Sequence, residues 1–352
     1  MTILSPEEIV QRIKNGEPLN EISLDGINLQ GCDLSGGLFQ EVSLRGANLQ
    51  NANLHEALFT ECQLQNLQLQ GAQLKQTTFN QCEMAHLQAA ETTLDSCVFN
   101  QCDLQESDFS ATTLQSSQFM RCQMSRSRFR GSTLERSVFY EADLTHASFA
   151  QSRGRLTTFY RDTALDGIQC DRLVFFQCDQ RGKDYSRQGF TGCQFTDCPL
   201  DGAKFNGAQL TQCNFKGASL REAELNQVNA SQALFMEADL RGAQCRGSLF
   251  DQAIFVGAIL EQADFSQSRL FQSVLQRVQA AGARFALCDL TWSDFSAADL
   301  RQADLRGATF SRTRLHRARQ DEALFTGRQG ILEYDEELLA AEAWSAQRHS
   351  RC

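Results

Sequence analysis

The chain has 352 residues, with 33 Lys and Arg against 43 Asp and Glu, for a formal net charge of −10. This acidity argues against nonspecific nucleic-acid binding, which relies on basic residues. No apolar run approaches the roughly 18 residues of a membrane span. Glu7 and Glu8 stand where a signal peptide carries basic and then apolar residues. We therefore predict a cytoplasmic protein with no membrane span.

The first predicted element is a short helix that ends near Gly16. Ser5 and Glu8 form a capping box, and Pro6 stands at the first helical position. We interpret residues 1–21 as an N-terminal helical cap on the segment that follows.

From residue 22 onward, a large apolar residue returns at every fifth position, a period that suits neither a helix nor a single strand. Between Leu24 and Phe149, 25 of 26 such centres hold Leu, Phe or Met, and Ala89 is the exception. The residue two before each centre is nearly always small, as at Ala47 and Ala52. Each five-residue unit thus points one small and one large side chain inward, and its other residues suit corners and an outer wall.

The phase of this repeat changes by one residue between Phe159 and Leu165. We therefore predict one repeat block over 22–159, a second over 191–318 with its phase set from 165, and a register slip with a loop over 160–190.

The loop is predicted because residues 178–189 place polar side chains at inward positions. Gln180 falls on a centre, and Lys183 falls on a small position. We expect this stretch to bulge outward, either as a partner-binding loop or as an irregular coil without a role. The candidate partner-binding residues on it are Arg181, Lys183, Tyr185 and Arg187.

The last predicted element is a helix over 334–349, within a C-terminal cap of residues 319–352. Tyr334, Leu338 and Ala341 lie on one helical stripe. We interpret Trp344 as a residue that packs the cap, with an exposed partner anchor as the alternative. Just before the cap lies a basic cluster, either a docking patch or a solvated end of the last coil. Its candidate partner-binding residues are Arg312, Arg314, Arg317 and Arg319.

The segment "AADLRQADLRGATF" (297–310) shows the pattern most clearly, and it resembles the pentapeptide-repeat family. The resemblance implies an all-β solenoid, a right-handed quadrilateral β-helix with four five-residue faces per coil and short helical caps at both ends. Residues twenty apart would then stack over roughly 14 to 15 coils. Phe recurs with that period from Phe39 to Phe159 and from Phe175 to Phe255. We therefore predict columns of stacked Phe rings in the core.

The 14 cysteines fit the same pattern. Eleven occupy small inward positions, Cys170 and Cys245 occupy centres, and Cys352 lies outside the repeat. We predict buried, reduced thiols rather than disulfides, since buried Cys acts as a small hydrophobe. No C-x-x-C pair or catalytic motif occurs in the sequence, so we predict no enzyme activity, no metal and no cofactor.

Resemblance to two groups of pentapeptide-repeat proteins implies two alternative functions. The flanks at 5–36 and 335–344 look like pentapeptide-repeat proteins of type VI secretion gene clusters in Gram-negative bacteria. That similarity implies a non-enzymatic scaffold or adaptor that binds a secretion spike or effector protein, with export by a route that needs no signal peptide. The alternative resembles the DNA-mimic members, which bind DNA gyrase and confer quinolone resistance. Up to residue 160 the chain has 11 Lys and Arg against 18 Asp and Glu, which suits the mimic.

Overall fold

The computed structural model of the chain describes residues 4–160 and 169–349. They form two helices, Pro6–Lys14 (α1) and Glu336–His349 (α2), and a series of short parallel strands. The chain divides into two compact units, Met1–Asp179 and Gln180–Cys352, which we call unit 1 and unit 2.

Unit 1 is built from two parallel sheets whose neighbouring strands are twenty residues apart, as Phe99 and Phe119 are. The larger sheet has nine strands: Leu19–Asn20, Leu38–Gln40, Leu58–Thr60, Thr78–Asn80, Val98–Asn100, Gln118–Met120, Val138–Tyr140, Thr158–Tyr160 and Val174–Phe176. The smaller has six: Gln73–Lys75, Thr93–Asp95, Thr113–Gln115, Thr133–Glu135, Arg153–Arg155 and Gln169–Asp171. The predicted solenoid of twenty-residue coils is confirmed, because strands and single bridges pair residues that are twenty positions apart.

The phase change appears in the pairing at the end of unit 1. Phe159 pairs with Phe175 and Gly154 pairs with Cys170, sixteen residues apart instead of twenty. One coil is therefore four residues short, which shifts the five-residue phase by one. Leu165, where the new phase begins in the sequence, lies outside the described residues.

Unit 2 keeps the twenty-residue period through single parallel bridges, such as Leu234 to Ile254. Its strands have two residues each: Asp304–Leu305 pairs with Leu324–Phe325, and Thr313–Arg314 pairs with Ile331–Leu332. Both pairs of strands lie in the last coils before α2.

The bulge predicted over 178–189 is wrong. Asp184 bridges to Lys204 and Gly189 bridges to Gln209, as in any regular coil of unit 2. Gln180 and Tyr185 both have no exposed surface, and the Tyr185 hydroxyl donates a hydrogen bond to Oε1 of Gln180. A polar side chain can occupy a centre when a buried partner satisfies it.

Stacked Phe rings form the core of both units, as predicted. From Phe39 to Phe159, successive ring centroids lie 4.4 to 5.0 Å apart with nearly parallel planes. In unit 2 the rings of Phe195, Phe215, Phe235 and Phe255 repeat this geometry at 4.8 to 5.1 Å. Each ring is withdrawn from water, which contributes about 1.5–3 kcal/mol per side chain.

The corners of the coils use left-handed backbone. Glu61 has φ +53° and Gly46 has φ +63°, and such residues recur at five-residue intervals in both units. Glycine adopts this conformation without a steric penalty, whereas side-chain-bearing residues are strained by it. The corner therefore explains why Gly is frequent at one outward position of the repeat.

The N-terminal cap matches the prediction. Ser5 and Glu8 form the reciprocal capping box, and Ile9 and Ile13 are buried on one face of α1. The helix ends at Lys14, just before Gly16. The apolar face of α1 is thereby withdrawn from water.

The C-terminal helix α2 forms where it was predicted, but its apolar stripe is not buried. Tyr334 is 75% exposed and Ala341 is exposed, while the Leu338 side chain lies outside the described part of the chain. Trp344 is 59% exposed, so the prediction that it packs the cap is wrong. Polar contacts connect α2 and the residues before it to the last coil.

The structure places no disulfide among the thirteen cysteines that it describes. Eleven are buried, whereas Cys32 and Cys170 are partly exposed. Burial raises the pKa of the Cys97 thiol to about 12. The eleven buried cysteines serve as core residues, as predicted, whereas Cys32 and Cys170 do not match the prediction of burial.

Candidate functional site

Three of the four arginines of the basic cluster already have carboxylate partners within the chain. Arg314 lies 3.5 Å from Asp335, Arg317 lies 2.5 Å from Glu342, and Arg319 lies 3.7 Å from Asp299. Two of these contacts reach the segment that carries α2. The cluster therefore connects α2 to the last coil, a role that the sequence did not indicate.

His316 also takes part in the contact between the last coil and α2. Its ring is buried, its Nδ1 accepts a hydrogen bond from the backbone N–H of Asp335 at 3.2 Å, and its Nε2 lies 3.6 Å from Oε2 of Glu342. Polar side chains thus join the end of unit 2 to α2.

Arg312 is the exception in the cluster. Its guanidinium lies over the Trp292 ring, 4.6 Å from the ring centroid, in a cation–π contact. Among the described residues it has no carboxylate partner within 4.0 Å. Trp292 is 47% exposed and occupies a corner with φ +60°. The two side chains line an open depression of about 520 Å³, which we call the end pocket. Its lining residues are Gln272, Trp292, Asp294, Arg312, Arg314 and Leu332.

The candidate residues of the 180s differ in their access to a partner. Tyr185 is fully buried, so it cannot contact another protein. Arg181 and Arg187 are exposed, and Lys183 is partly exposed. The structure does not bring them together with the basic cluster in one described surface. Partner binding by these three residues stays a prediction.

Sequence analysis missed a row of apolar residues on one outer wall of unit 2. Leu234, Ile254 and Val274 are bridged to one another in neighbouring coils and are partly exposed. Met236 and Val256 are partly exposed in a parallel row, on the other side of the buried centres. We call these five residues the apolar strip. Its sequence signal is an apolar residue on both sides of a centre, as in "LFM" (234–236) and "IFV" (254–256).

A ladder of glutamine amides borders the strip at the corner of the coil. Gln212 donates to Gln232, Gln232 to Gln252, and Gln252 to Gln272, at 2.9 to 3.0 Å. The position twenty residues after Gln272 is Trp292. The ladder leaves a neutral edge along the strip, because each internal amide oxygen and nitrogen is used by its neighbour.

Unit 1 also has an incompletely covered wall, the outer face of its nine-stranded sheet. The Tyr140 and Tyr160 rings lie 5.0 Å apart, and Tyr160 and Phe176 lie 5.7 Å apart. On the same sheet, Leu38 is 45% exposed and Leu58 is 37% exposed. Parallel sheets usually have both faces covered, so this wall offers apolar surface to a partner.

Several arginines elsewhere on unit 2 lie in ion pairs with aspartates. Asp239 lies 2.6 Å from both Arg221 and Arg241. Burial alone would raise the pKa of Asp239, but hydrogen bonds from Arg241 and Arg221 outweigh it and lower the pKa to about 2. The side chains in such internal ion pairs are already satisfied within the chain.

Neither a metal site nor a membrane-spanning helix is found in the described part of the chain. Within residues 4–160 and 169–349, no group of three His, Cys, Asp or Glu side chains is placed to hold a metal ion. Neither described helix has the length and apolar character needed to cross a bilayer.

Stacked coils of short parallel strands and bridges around a filled core define a β-solenoid. Its sequence matches the family description "Pentapeptide repeat region" over residues 19–89 and 92–170. It also matches "Pentapeptide repeats (8 copies)" over 193–232, 233–277 and 288–327. These matches span most of the chain, which therefore belongs to the pentapeptide-repeat family.

Several solved structures are similar to this chain, whereas no curated protein matches it. HetL of Nostoc sp. strain PCC 7120, which is involved in regulating heterocyst differentiation, is 18% identical to this chain. The match covers 80% of this chain and 96% of HetL, with a TM-score of 0.25. QnrB1, a plasmid-mediated fluoroquinolone resistance protein, is 20% identical over 55% of this chain and 91% of its own, with a TM-score of 0.38. Rfr23 of Cyanothece 51142 is 18% identical over 42% of this chain and 90% of Rfr23, with a TM-score of 0.21. At these identities the matches concern the fold alone.

Proposed function

We propose that the protein is a non-enzymatic scaffold that binds another protein through the outer walls of its coils. The observation that carries this proposal is the apolar strip, where Leu234, Ile254 and Val274 stand in register on a wall that is otherwise polar in this repeat. Removing such a surface from water contributes about 25 cal/mol per Å² of apolar area.

The backbone beneath the strip supports this function because it is already ordered. The Phe235 N–H donates to the Ile254 carbonyl, and the Phe255 N–H donates to the Val274 carbonyl, both at 2.7 Å. Each coil is thereby held to the next by regular hydrogen bonds. A preorganised surface loses little conformational entropy when a partner binds.

The specific role that we propose is an accessory or adaptor of a type VI secretion system, with a spike or effector protein as its partner. The support for this role is the resemblance of the segments at 5–36 and 335–344. The test is affinity capture from native cells that express the tagged full chain. Enrichment of a spike or effector protein by the wild-type chain is the expected result, and recovery of no secretion component contradicts the role.

A second candidate, binding to DNA gyrase, is favoured by the charge of the first coils. Residues 1–120 carry 4 Lys and Arg against 15 Asp and Glu, a net charge of −11, whereas residues 121–160 carry 7 against 3. The acidic stretch suits a DNA mimic, but the basic stretch after it interrupts the mimicry. A supercoiling assay with purified gyrase tests this candidate, since inhibition at stoichiometric amounts would favour it over the secretion role.

A further inference from the structure

The apolar strip and the end pocket form one continuous site on unit 2. The row of Leu234, Ile254 and Val274 continues through Asp294 and Arg314, each bridged to its neighbour, and Arg314 pairs with Leu332. We infer that this site binds a segment of a partner protein in which several apolar side chains lie next to a carboxylate at one end. The inference rests on the proposed scaffold function and adds the chemistry of the partner.

The dimensions of the strip favour a single segment over a second folded surface. At about 4.8 Å per coil, Leu234 and Val274 are about 10 Å apart, and Val274 is about as far again from Arg314. One row over three coils and a second over two, about 7 Å apart, offer on the order of 100 Å². Stable association of two folded surfaces buries about 800 Å² on each partner. An extended strand or a helix, with one apolar side chain per coil, fits this smaller area.

The end pocket supplies the polar half of the recognition. Asp294 is already satisfied, because its Oδ2 accepts from the Gln276 side chain at 2.7 Å and its Oδ1 accepts from Ser296. Arg314 lies near Asp335. Arg312 is held in place by Trp292 and has no carboxylate partner among the described residues. Its guanidinium is therefore the group in the pocket that a partner carboxylate can pair with, in the bidentate geometry that arginine favours.

The surroundings of the strip set the order of the partner's residues. On the Gln232 side, the border of the strip consists of the glutamine amides at Gln232, Gln252 and Gln272, which bond to one another and carry no charge. In the end pocket, Arg312 supplies a positive charge that no described carboxylate within 4.0 Å neutralises. Apolar residues therefore align with the strip, and the acidic residue lies one or two coils beyond them, at the end pocket.

The test begins with a random dodecapeptide library displayed on phage. The library is selected on the wild-type full chain after depletion on the Ile254→Asp variant, which places a charge in the middle of the strip. The expected result is a family of peptides with several apolar residues and an Asp or Glu at one end of the apolar run. Selection that returns no shared motif, or peptides that bind the Ile254→Asp variant equally well, overturns the inference.

One enriched peptide is then synthesised with a fluorophore and titrated against purified variants. Ile254→Asp and Arg312→Gln should each weaken binding by about tenfold or more, because each removes one half of the recognition. Gln209→Asp, at the same repeat position on another wall, should leave binding unchanged, and thermal unfolding should show that all variants are folded. Equal binding by Arg312→Gln and wild-type protein overturns the role of the carboxylate.

Capture of the native partner by the wild-type and Ile254→Asp chains distinguishes a failure of this inference from a failure of the proposed function. A partner captured by the wild-type chain and lost with Ile254→Asp supports both. A partner captured equally by both chains overturns the site but leaves the scaffold function standing. Absence of any partner, together with peptides that bind the strip, contradicts the scaffold function and supports the chemistry of the site.

Discussion

The buried hydroxyl of Tyr185 donates a hydrogen bond to Oε1 of Gln180, five residues earlier in the chain. Both side chains occupy centres of neighbouring five-residue units, where the repeat normally places Leu or Phe. The tyrosine ring also contacts Phe190, with 5.3 Å between ring centroids. The pair thus fills a core position while satisfying the glutamine oxygen, and the coil continues without a bulge.

This geometry predicts resistance to trypsin in the 180s. Arg181, Lys183 and Arg187 lie in a regular coil, and a protease must open the backbone to cleave it. Limited digestion followed by mass spectrometry should yield no fragment that begins at Gly182, Asp184 or Gln188 while the protein is folded. Early appearance of such fragments would show that the coil opens locally. Complete digestion in denaturant is the control that these sites are cleavable.

Replacement of Phe119 by Ala should destabilise unit 1. Its ring stacks between Phe99 and Phe139 at 4.8 Å on each side, so a truncation leaves a cavity that the column cannot fill. The expected loss is about 3–5 kcal/mol in the free energy of unfolding, measured by urea denaturation. Leu38→Ala, at a side chain that is 45% exposed, serves as the control and should cost less than about 1 kcal/mol. Equal effects of the two changes would contradict the stacked register.

The buried thiols should make stability fall at alkaline pH. The pKa of Cys97 is raised by burial from an ordinary value of 9.0 to about 12 in the folded chain. Below pH 9 the thiol is protonated in both states, so stability does not depend on it. Between about pH 9 and 12 the unfolded chain releases a proton that the folded chain retains, so stability declines as pH rises.

The measurement is a series of urea unfolding curves between pH 8 and 11. The Cys97→Ala variant should show a shallower decline than the wild-type chain, whatever its stability at pH 8. Identical slopes for the two chains would mean that this thiol titrates normally in the folded state.

Gly46→Ala should cost about 1–2 kcal/mol through the backbone alone. The residue has φ +63°, and a Cβ added there would meet no atom within 4 Å, so packing does not contribute. Ala111 has the same conformation at φ +55°, and Ala111→Gly should change stability in the opposite direction. Thermal unfolding of both variants provides the comparison. Stabilisation by Gly46→Ala would show that the corner tolerates a side chain freely.

Arg317→Glu should loosen α2 from the last coil, since it replaces the 2.5 Å contact with Glu342 by a repulsion. Amide hydrogen exchange over α2 should accelerate roughly fivefold, as a loss of about 1 kcal/mol implies. The double variant with Glu342→Arg should restore slow exchange, and Arg187→Glu should have no effect on it. Unchanged exchange in Arg317→Glu would mean that the helix is held by other contacts.

The repeat allowed much of the fold to be predicted because its determinants are local. Each five-residue unit contains its own inward small residue, its own centre and its own corner, as in the units around Phe59 and Phe79. The capping box at Ser5 and Glu8 is equally local, since it needs only residues three apart. Periodicity therefore determined the coils, the Phe columns and the buried cysteines, and the capping box determined the start of the N-terminal helix.

The surface, in contrast, was decided by which coils lie beside one another. Residues that are twenty positions apart in the chain become neighbours, so Leu234, Ile254 and Val274 join into a strip that no short window of sequence displays. The same stacking placed Arg312 over Trp292. It also buried Tyr185 with Gln180, because a hydrogen bond can offset the cost of a polar core residue only when the fold supplies the partner. The local sequence pattern determined whether each side chain points into the core or outward. Stacking of the coils and closure of each coil determined which residues lie beside it.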